Sequence, residues 1–314
     1  MSLVEKALQK LQKEREAAAL SPQTTNEGAR QREAPVQREM PERAESSASA
    51  RAESAARPYQ DPAATTPGIP ALQRREVRID HAALRAAGIL PPEHQARVVG
   101  DQFRHIKRPL LAAALGRGGP AVPSGRLIMV GSALQGDGKT FSCLNLALSL
   151  ALEHDVSVLL VDADVVKPQL TRLLSMEDAP GILDVITDFE MHPLEVIAAT
   201  DTPGLEFVPA GRRKDNMSES LASRRLDEVL SEWLAVSTNR IVLFDTPPLL
   251  VTNEARVLAG KVGQTLLVVR EDVTPQAAVK DALRLVRTGS SVSLILNDSQ
   301  AGGASGYYGY NYGD

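Results

Sequence analysis

An α/β fold on a doubly wound, mainly parallel sheet is the architecture on which three features of this sequence agree. From residue 127 onward, short apolar runs alternate with segments of helical spacing, the pattern of one sheet covered by helices on both faces. One run leads into the turn Gly136-Asp137-Gly138 and then into a helix opened by Lys139-Thr140. Two others end in aspartates, Asp162 with Asp164 in one case and Asp245 in the other. Ligands in such sheets bind at the carboxyl ends of strands, so these groups are expected to meet in one cleft.

The chain opens with SLVEKALQKLQKEREAAA, which places Leu3, Val4, Ala7, Leu8 and Leu11 on one face of a helix expected within residues 1–20. Two uses fit that pattern equally: a solvated helix, or a docking helix for a partner or a membrane surface. Residues 21–75 are rich in Pro, Ala, Ser, Glu, Gln and Arg and poor in large apolar side chains. Such a stretch cannot bury enough surface to offset its ordering entropy, and it reads as a disordered tether. Order resumes near Val77, and residues 76–298 read as one domain. Within it Pro92–Leu115 carries Val98, Val99, Phe103, Ile106, Leu110 and Leu111 in helical register, with Pro109 expected to bend it or start a new turn. Asp101, Arg104, Lys107 and Arg108 are expected on its exposed face.

Strands are predicted at Leu127–Val130, Val156–Val161, Leu205–Val208, Ile241–Phe244, Thr265–Val269 and Val292–Leu296. Helices are predicted over 139–153, 168–174, 181–198, 218–236, 253–261 and 274–288. Residues 299–314 are expected to form a tail, SQAGGASGYYGYNYGD, that holds Tyr307, Tyr308, Tyr310 and Tyr312 of the five tyrosines in the chain. Surrounding glycines keep these rings from acting as core aromatics on a regular element. They read either as a low-complexity tail or as mobile phosphate acceptors.

The strand, glycine turn, Lys-Thr and helix together make a phosphate cradle. Its glycines allow backbone N–H groups to point at phosphate oxygens, and the helix start adds its free N–H groups and the positive end of its dipole. Lys139 is placed to reach the terminal phosphates and the Thr140 hydroxyl to ligate Mg²⁺. The usual G-x-x-x-x-G-K-T spacing has its first glycine where this chain has Ala133, which makes the loop a deviant Walker A and the sheet that of a P-loop NTPase. After four apolar residues, Asp245 suits a Walker B strand that holds a Mg²⁺-bound water. Phosphoryl transfer also needs a carboxylate near the attacking group, and the Asp162/Asp164 pair supplies one.

The net charge of −4 argues against a bulk nucleic-acid binder. Cys143 is the single cysteine. It is expected buried one turn into the helix, and it permits neither an internal disulfide nor a cysteine-rich metal site. No apolar run approaches the roughly 18 residues of a membrane span, and Glu5, Lys6, Lys10 and Lys13 interrupt any signal-peptide pattern. These features point to a cytoplasmic protein.

GDGKT at 136–140, VLLVDADVVKP at 158–168, IVLFDTPP at 241–248, DQFRHIKRPLL at 101–111 and the tyrosine tail resemble the bacterial P-loop tyrosine kinases, the BY-kinases. The LEFVPAG segment at 205–211 and the strand end at Asn297 fit as well. Within that family the chain most resembles the exosortase-associated tyrosine autokinases of exopolysaccharide biosynthesis, over about residues 77–314. The resemblance implies that Gly136, Asp137, Gly138, Lys139, Thr140, Phe141 and Asn297 bind ATP. It implies that Asp162 activates the incoming tyrosine hydroxyl, with Thr140, Asp164 and Asp245 supporting Mg²⁺. It further implies phosphorylation of the tail by a neighbouring subunit of a homo-oligomeric ring, with Asp101, Arg104 and Lys107 at the family's E-x-x-R-x-x-R ring contact. Arg and Lys are not equivalent donors, and Val166 stands where the family often has arginine. A membrane polysaccharide co-polymerase as activator, an opposing tyrosine phosphatase and a peripheral place at the inner membrane are implied with it.

Two other functions share the cradle and carboxylates. A switch ATPase of the partitioning and division-site type usually carries a lysine early in the loop, where Ser132, Ala133, Leu134 and Gln135 offer none, and it needs no tyrosine tail. A nucleotide-regulated scaffold needs no Asp162/Asp164/Asp245 set.

Overall fold

Four runs of continuous apolar residues, buried on both sides, set the centre of the molecule. In the computed structural model, which describes residues 75–212, 217–286 and 290–299, they become β2 (Leu127–Ser132), β3 (Ser157–Asp162), β6 (Arg240–Asp245) and β7 (Gln264–Arg270). Every residue of β2 and β6 is buried, as expected of parallel strands covered on both faces. With β1 (Glu76–Val77), β4 (Ala198–Thr200), β5 (Leu205–Val208) and β8 (Ser291–Asn297) they form an eight-stranded sheet in the order β1-β4-β5-β3-β6-β2-β7-β8. All neighbouring pairs are parallel except β4 with β5. The expected N-terminal helix, the linker as far as residue 74 and the tail from residue 300 lie outside the described residues, and with them Tyr307, Tyr308, Tyr310 and Tyr312.

Alternate strand residues feed two cores. Ile128, Val130, Val158, Leu160, Ile241 and Leu243 pack on one face with α1 (His81–Ala86), α2 (Glu93–Leu115) and α3 (Lys139–Ala151). Met129, Leu159, Val161, Val242 and Phe244 pack on the other with α5 (Ile182–Thr187), α7 (Arg224–Ala235), α8 (Asn253–Ala259) and α9 (Gln276–Leu285). Short helices α4 (Gln169–Leu173) and α6 (Met217–Leu221) complete the set. Asp80 caps α1, its carboxylate accepting from the amides of Ala82 and Ala83. α2 is a single 23-residue helix that runs through Pro109 and ends at Gly116, whose φ of 67° is left-handed.

Two expected helices are broken. The segment 181–198 contains α5, a 3₁₀ turn at Pro193–Val196 and the first residue of β4. Asp188 leaves α5 in an extended conformation, and Pro193 opens the next turn with His192 Nδ1 accepting from Leu194 N–H. The segment 218–236 divides at Ser223, whose ψ of 160° is extended, into α6 and α7. The break sets the phase of α7, which buries Leu226, Val229, Leu230 and Trp233, and the Trp233 indole N–H donates to the Pro193 carbonyl at 2.8 Å.

Candidate active site

Ladder register brings the chemistry together. Val130 of β2 pairs with Asp245 of β6, and Asp245 pairs with Asp162 of β3, so β3 and β6 end level and β2 runs two residues further to Ser132. The cradle leaves β2 at Ser132 and turns through Gly136 and Gly138, with φ of 89° and 93°. Any L side chain at either position would be strained. A Cβ on Gly138 would also stand 2.0 Å from Asn297 Nδ2. Gly138 is the N-cap of α3 and places no side chain on its first amides, which are therefore free for an anion.

Lys139 Nζ lies 3.0 Å from an Asp164 carboxylate oxygen, with both side chains largely buried. Burial opposes the lysine charge, but Asp245 and Asp164 outweigh it and hold the ammonium pKa above its usual value. Burial pushes Asp162 up to about 7, and the Asp245 charge beside it adds to the rise, against hydrogen bonds from Thr171. Burial raises Asp245 to about 6, held back by the Lys139 ammonium and the nearby Thr140 hydroxyl. Neither Asp245 oxygen has a hydrogen bond of full geometry, although both are buried. Buried carboxylate oxygens without a hydrogen bond of full geometry, beside the Thr140 hydroxyl in the first turn of α3, are a place for a cation.

The cleft is a cavity of about 550 Å³, within the range of small-molecule sites. Gly136, Gly138, Lys139, Thr140, Phe141 and Asp164 line it, as the sequence places them. No group of three or more His, Cys, Asp or Glu side chains that could hold a metal ion is found among the described residues. A magnesium ion on Thr140 and Asp245 would take its remaining ligands from water and phosphate oxygens, as Mg²⁺ commonly does. With the free amides and Lys139, the residues present fit Mg²⁺·ATP.

The other expected residues stand elsewhere. Asp162 is wholly buried: Oδ2 accepts the Thr171 amide and hydroxyl, each at 2.8 Å, and Oδ1 accepts the Asp164 amide at 3.3 Å. Its carboxylate is turned toward Thr171, and like Asp245 it is not part of the cavity lining. Asp137, within the loop, and Asn297 do not line the cavity, and Asn297 Nδ2 donates to the Asp137 carbonyl at 3.0 Å. On α2, Asp101 and Arg104 pair on the surface, but Lys107 is not on the exposed face. It is 5% exposed, and its ammonium donates to the Ser149 carbonyl and pairs with Glu153, both at 2.6 Å. Cys143 is buried as expected, and burial pushes its thiol well up.

Several cavity residues carry no sequence signal of their own. Gly88 and Ile89 form one wall, tied to α3 by Asn145, which donates to the carbonyls of Ile89 and Phe141 at 2.9 and 2.7 Å. Lys167, Arg172, Pro247, Pro248 and Val251 complete the rim. The apolar, proline-bearing run after Asp245 could have suggested the last three. Among the described residues no helix is long and apolar enough to cross a membrane.

No protein-family model matches the sequence. The chain is 33% identical over 176 residues to the tyrosine-protein kinase Wzc of Salmonella typhi, covering 56% of this chain and 24% of the relative. It is 28% identical over 214 residues to the tyrosine-protein kinase YwqD of Bacillus subtilis, covering 67% of this chain and 86% of that one. The kinase domain of the Escherichia coli tyrosine kinase ETK superposes with a TM-score of 0.56 at 26% identity, over 68% of this chain and 80% of that domain. The chain spans about a quarter of the length of the first curated relatives it matches. Sheet, cradle, aspartate-bearing strand ends and relatives agree, and the chain is similar to bacterial tyrosine-protein kinases and their kinase domains.

Proposed function

We propose that this protein is an ATP-dependent protein-tyrosine autokinase that phosphorylates the tyrosines of its own C-terminal tail in trans. The observation that carries this reading is the Lys139–Asp164 pair lining the cavity, with the buried Asp245 carboxylate, which has no hydrogen bond of full geometry, close to the lysine. Relatives named as tyrosine-protein kinases support it. Mg²⁺·ATP, when bound, supplies a γ-phosphoryl group activated for in-line transfer.

The first amides of α3 and Lys139 hold the phosphates, while Thr140 and Asp245 hold the cation. Lys139 exchanges Asp164 for phosphate oxygens, which leaves the Asp164 carboxylate facing the cavity. In this arrangement Asp164 is the member of the carboxylate pair with access to a tyrosine hydroxyl. Asp162, the family's expected base, takes that part once its Thr171 bonds open. Pro247, Pro248 and Val251 offer an apolar wall for the acceptor ring.

The wider setting is proposed on the resemblance to the exosortase-associated autokinases. It comprises a homo-oligomeric ring, a membrane polysaccharide co-polymerase as activator, a tyrosine phosphatase in opposition, and a place at the inner membrane through that partner. Residues 1–75, expected from sequence to be a helix and tether, are assigned to docking on the co-polymerase. Partner binding unchanged after deletion of residues 1–75 would remove that assignment.

The test is intact mass after incubation with Mg²⁺·ATP, beside Lys139→Ala and a form truncated after Ser305. Stepwise gains of one phosphate, absent from both variants, are expected. ATP turnover with no mass gain would make the protein a switch ATPase, and a gain that survives truncation would place the acceptors elsewhere.

A further inference from the structure

The carboxylate of Asp137 sits within the cradle with the residue 2% exposed, and it does not line the cavity. Oδ2 accepts the Leu134 amide at 3.0 Å, which closes the loop on itself. Oδ1 accepts the Thr274 hydroxyl at 2.7 Å, from a residue 137 positions away. Thr274 is itself fixed: its Oγ1 accepts the Arg270 amide at 2.9 Å, and its own amide donates to the Arg270 carbonyl at 3.0 Å. Arg270 ends β7 and pairs in the ladder with Asn297, which ends β8. Asn297 grips the same loop at the Asp137 carbonyl, and the Arg270 guanidinium holds the Asp298 carboxylate at 2.8 and 2.9 Å. Two strand ends on the far side of β2 therefore hold one cradle residue by its carboxylate and by its carbonyl.

We infer that Thr274 is a positioning residue for nucleotide phosphates, acting through Asp137. Its hydroxyl fixes the carboxylate, the carboxylate fixes the Leu134 amide and the path through Gly136 and Gly138, and that path aims the cradle's N–H groups. The inference rests on reading the cleft as a Mg²⁺·ATP site. Two glycines at positive φ leave the loop free to take other paths, and a loop that must be ordered by its ligand binds it less tightly. A buried carboxylate on two donors removes that freedom in advance, and hydrogen bonds to an ionised acceptor are among the stronger ones.

The experiment uses full-length protein with Mg²⁺ and methylanthraniloyl-ADP as fluorescent probe. Thr274→Val keeps the shape and removes the hydroxyl, whereas Thr274→Ser keeps the hydroxyl. The valine variant is expected to bind at least about tenfold more weakly and the serine variant within about twofold of the parent, a hydrogen bond to a charged group being at stake. Asp137→Asn is expected to weaken binding comparably, and the Thr274→Val/Asp137→Asn pair no further than the worse single, since both remove one brace. With ATP as substrate, KM rises more than kcat falls. Parent-like binding by the valine variant, equal losses for valine and serine, or additive losses in the pair would each overturn the inference and leave Thr274 a packing residue. Thermal unfolding reads the fold of each variant separately. If the valine variant does not fold, Asp137→Asn decides, weakened binding supporting the inference and parent-like binding overturning it. Lys139→Ala is the control, because binding that survives it would remove the nucleotide reading itself, whatever Thr274 does.

Discussion

Lys139 and Asp164 neutralise each other across 3.0 Å in the lining of the cleft. The lysine that is to receive phosphates therefore already has an anionic partner, and an incoming nucleotide must displace it. Asp164→Asn keeps the shape and removes that competition. Mg²⁺-free ADP is expected to bind up to about tenfold more tightly to this variant, a gain on the scale of a partly buried ion pair, while tail phosphorylation falls by about 10² if Asp164 takes the proton. Calorimetry without Mg²⁺ and intact mass with Mg²⁺·ATP read the two effects. Weaker ADP binding in the variant would refute the competition.

Asp162 and Asp245 make the ligand-free protein sensitive to pH in an unusual direction. Their folded values are raised from 3.8 to about 7 and about 6, so between these values and 3.8 the folded state binds more protons than the unfolded chain. Stability from these two groups is therefore full below about pH 4 and is lost as pH rises toward about 7. The Tm of ligand-free protein is expected to fall between pH 5.5 and 8, where ordinary surface carboxylates are already ionised. Asp245→Asn flattens that decline and raises Tm at pH 8, although it removes a group the nucleotide site uses. Mg²⁺·ADP flattens the decline in the parent, because a bound cation favours the ionised carboxylates. An identical slope in Asp245→Asn would show that the decline has another source.

What the sequence discloses here is whatever is local. Short, mostly apolar runs located the strands from 127 onward other than β4, and the glycine turn and the aspartates after two of those runs located the cleft. The two-residue β1 and the Ala-Ala-Thr strand β4 carry no run and no alternation, and only pairing at the sheet edge makes them strands. Residues 181–198 have enough helix-compatible positions to suggest one helix, although Pro193 within them is a helix breaker and opens a separate 3₁₀ turn in the fold. The bonds that orient Asp162 and Asp137 come from Thr171 and Thr274, ordinary threonines made important by partners that are adjacent only in the fold. Lys107, by contrast, was legible. Phe103, Lys107, Leu110, Leu111 and Ala114 stand at i, i+4, i+7, i+8 and i+11, so the lysine falls inside the apolar stripe.

That placement separates two cations on α2 that look equivalent in sequence. Lys107 donates to the buried Ser149 carbonyl and pairs with Glu153, with 7% of its side chain exposed, whereas the Arg104 side chain is 59% exposed. Lys107→Ala strands the carbonyl, opens a gap against α3 and is expected to cost about 2–4 kcal/mol. Arg104→Ala is expected to change stability by no more than about 0.5 kcal/mol. Urea unfolding of both, at a protein concentration low enough to be independent of assembly, gives the comparison. Equal and small effects would mean that Lys107 is not buried in solution.

Gly136 and Gly138 share a positive φ but differ in their surroundings, which allows the backbone and contact contributions to be separated. A Cβ on Gly136 meets nothing within 4 Å, whereas one on Gly138 meets Asn297 Nδ2 at 2.0 Å. Gly136→Ala therefore carries backbone strain alone, about 1–3 kcal/mol. Gly138→Ala carries similar strain and also drives Asn297 from the Asp137 carbonyl, losing a hydrogen bond worth about 1 kcal/mol. In Gly138→Ala/Asn297→Ala the second change removes the group that the first displaces, so the pair is expected to cost less than the sum of its singles. The pair Gly136→Ala/Asn297→Ala involves no such displacement and is expected to be nearly additive. Thermal or urea unfolding of the five variants decides the matter: additivity in both pairs would mean that Asn297 does not press on Gly138.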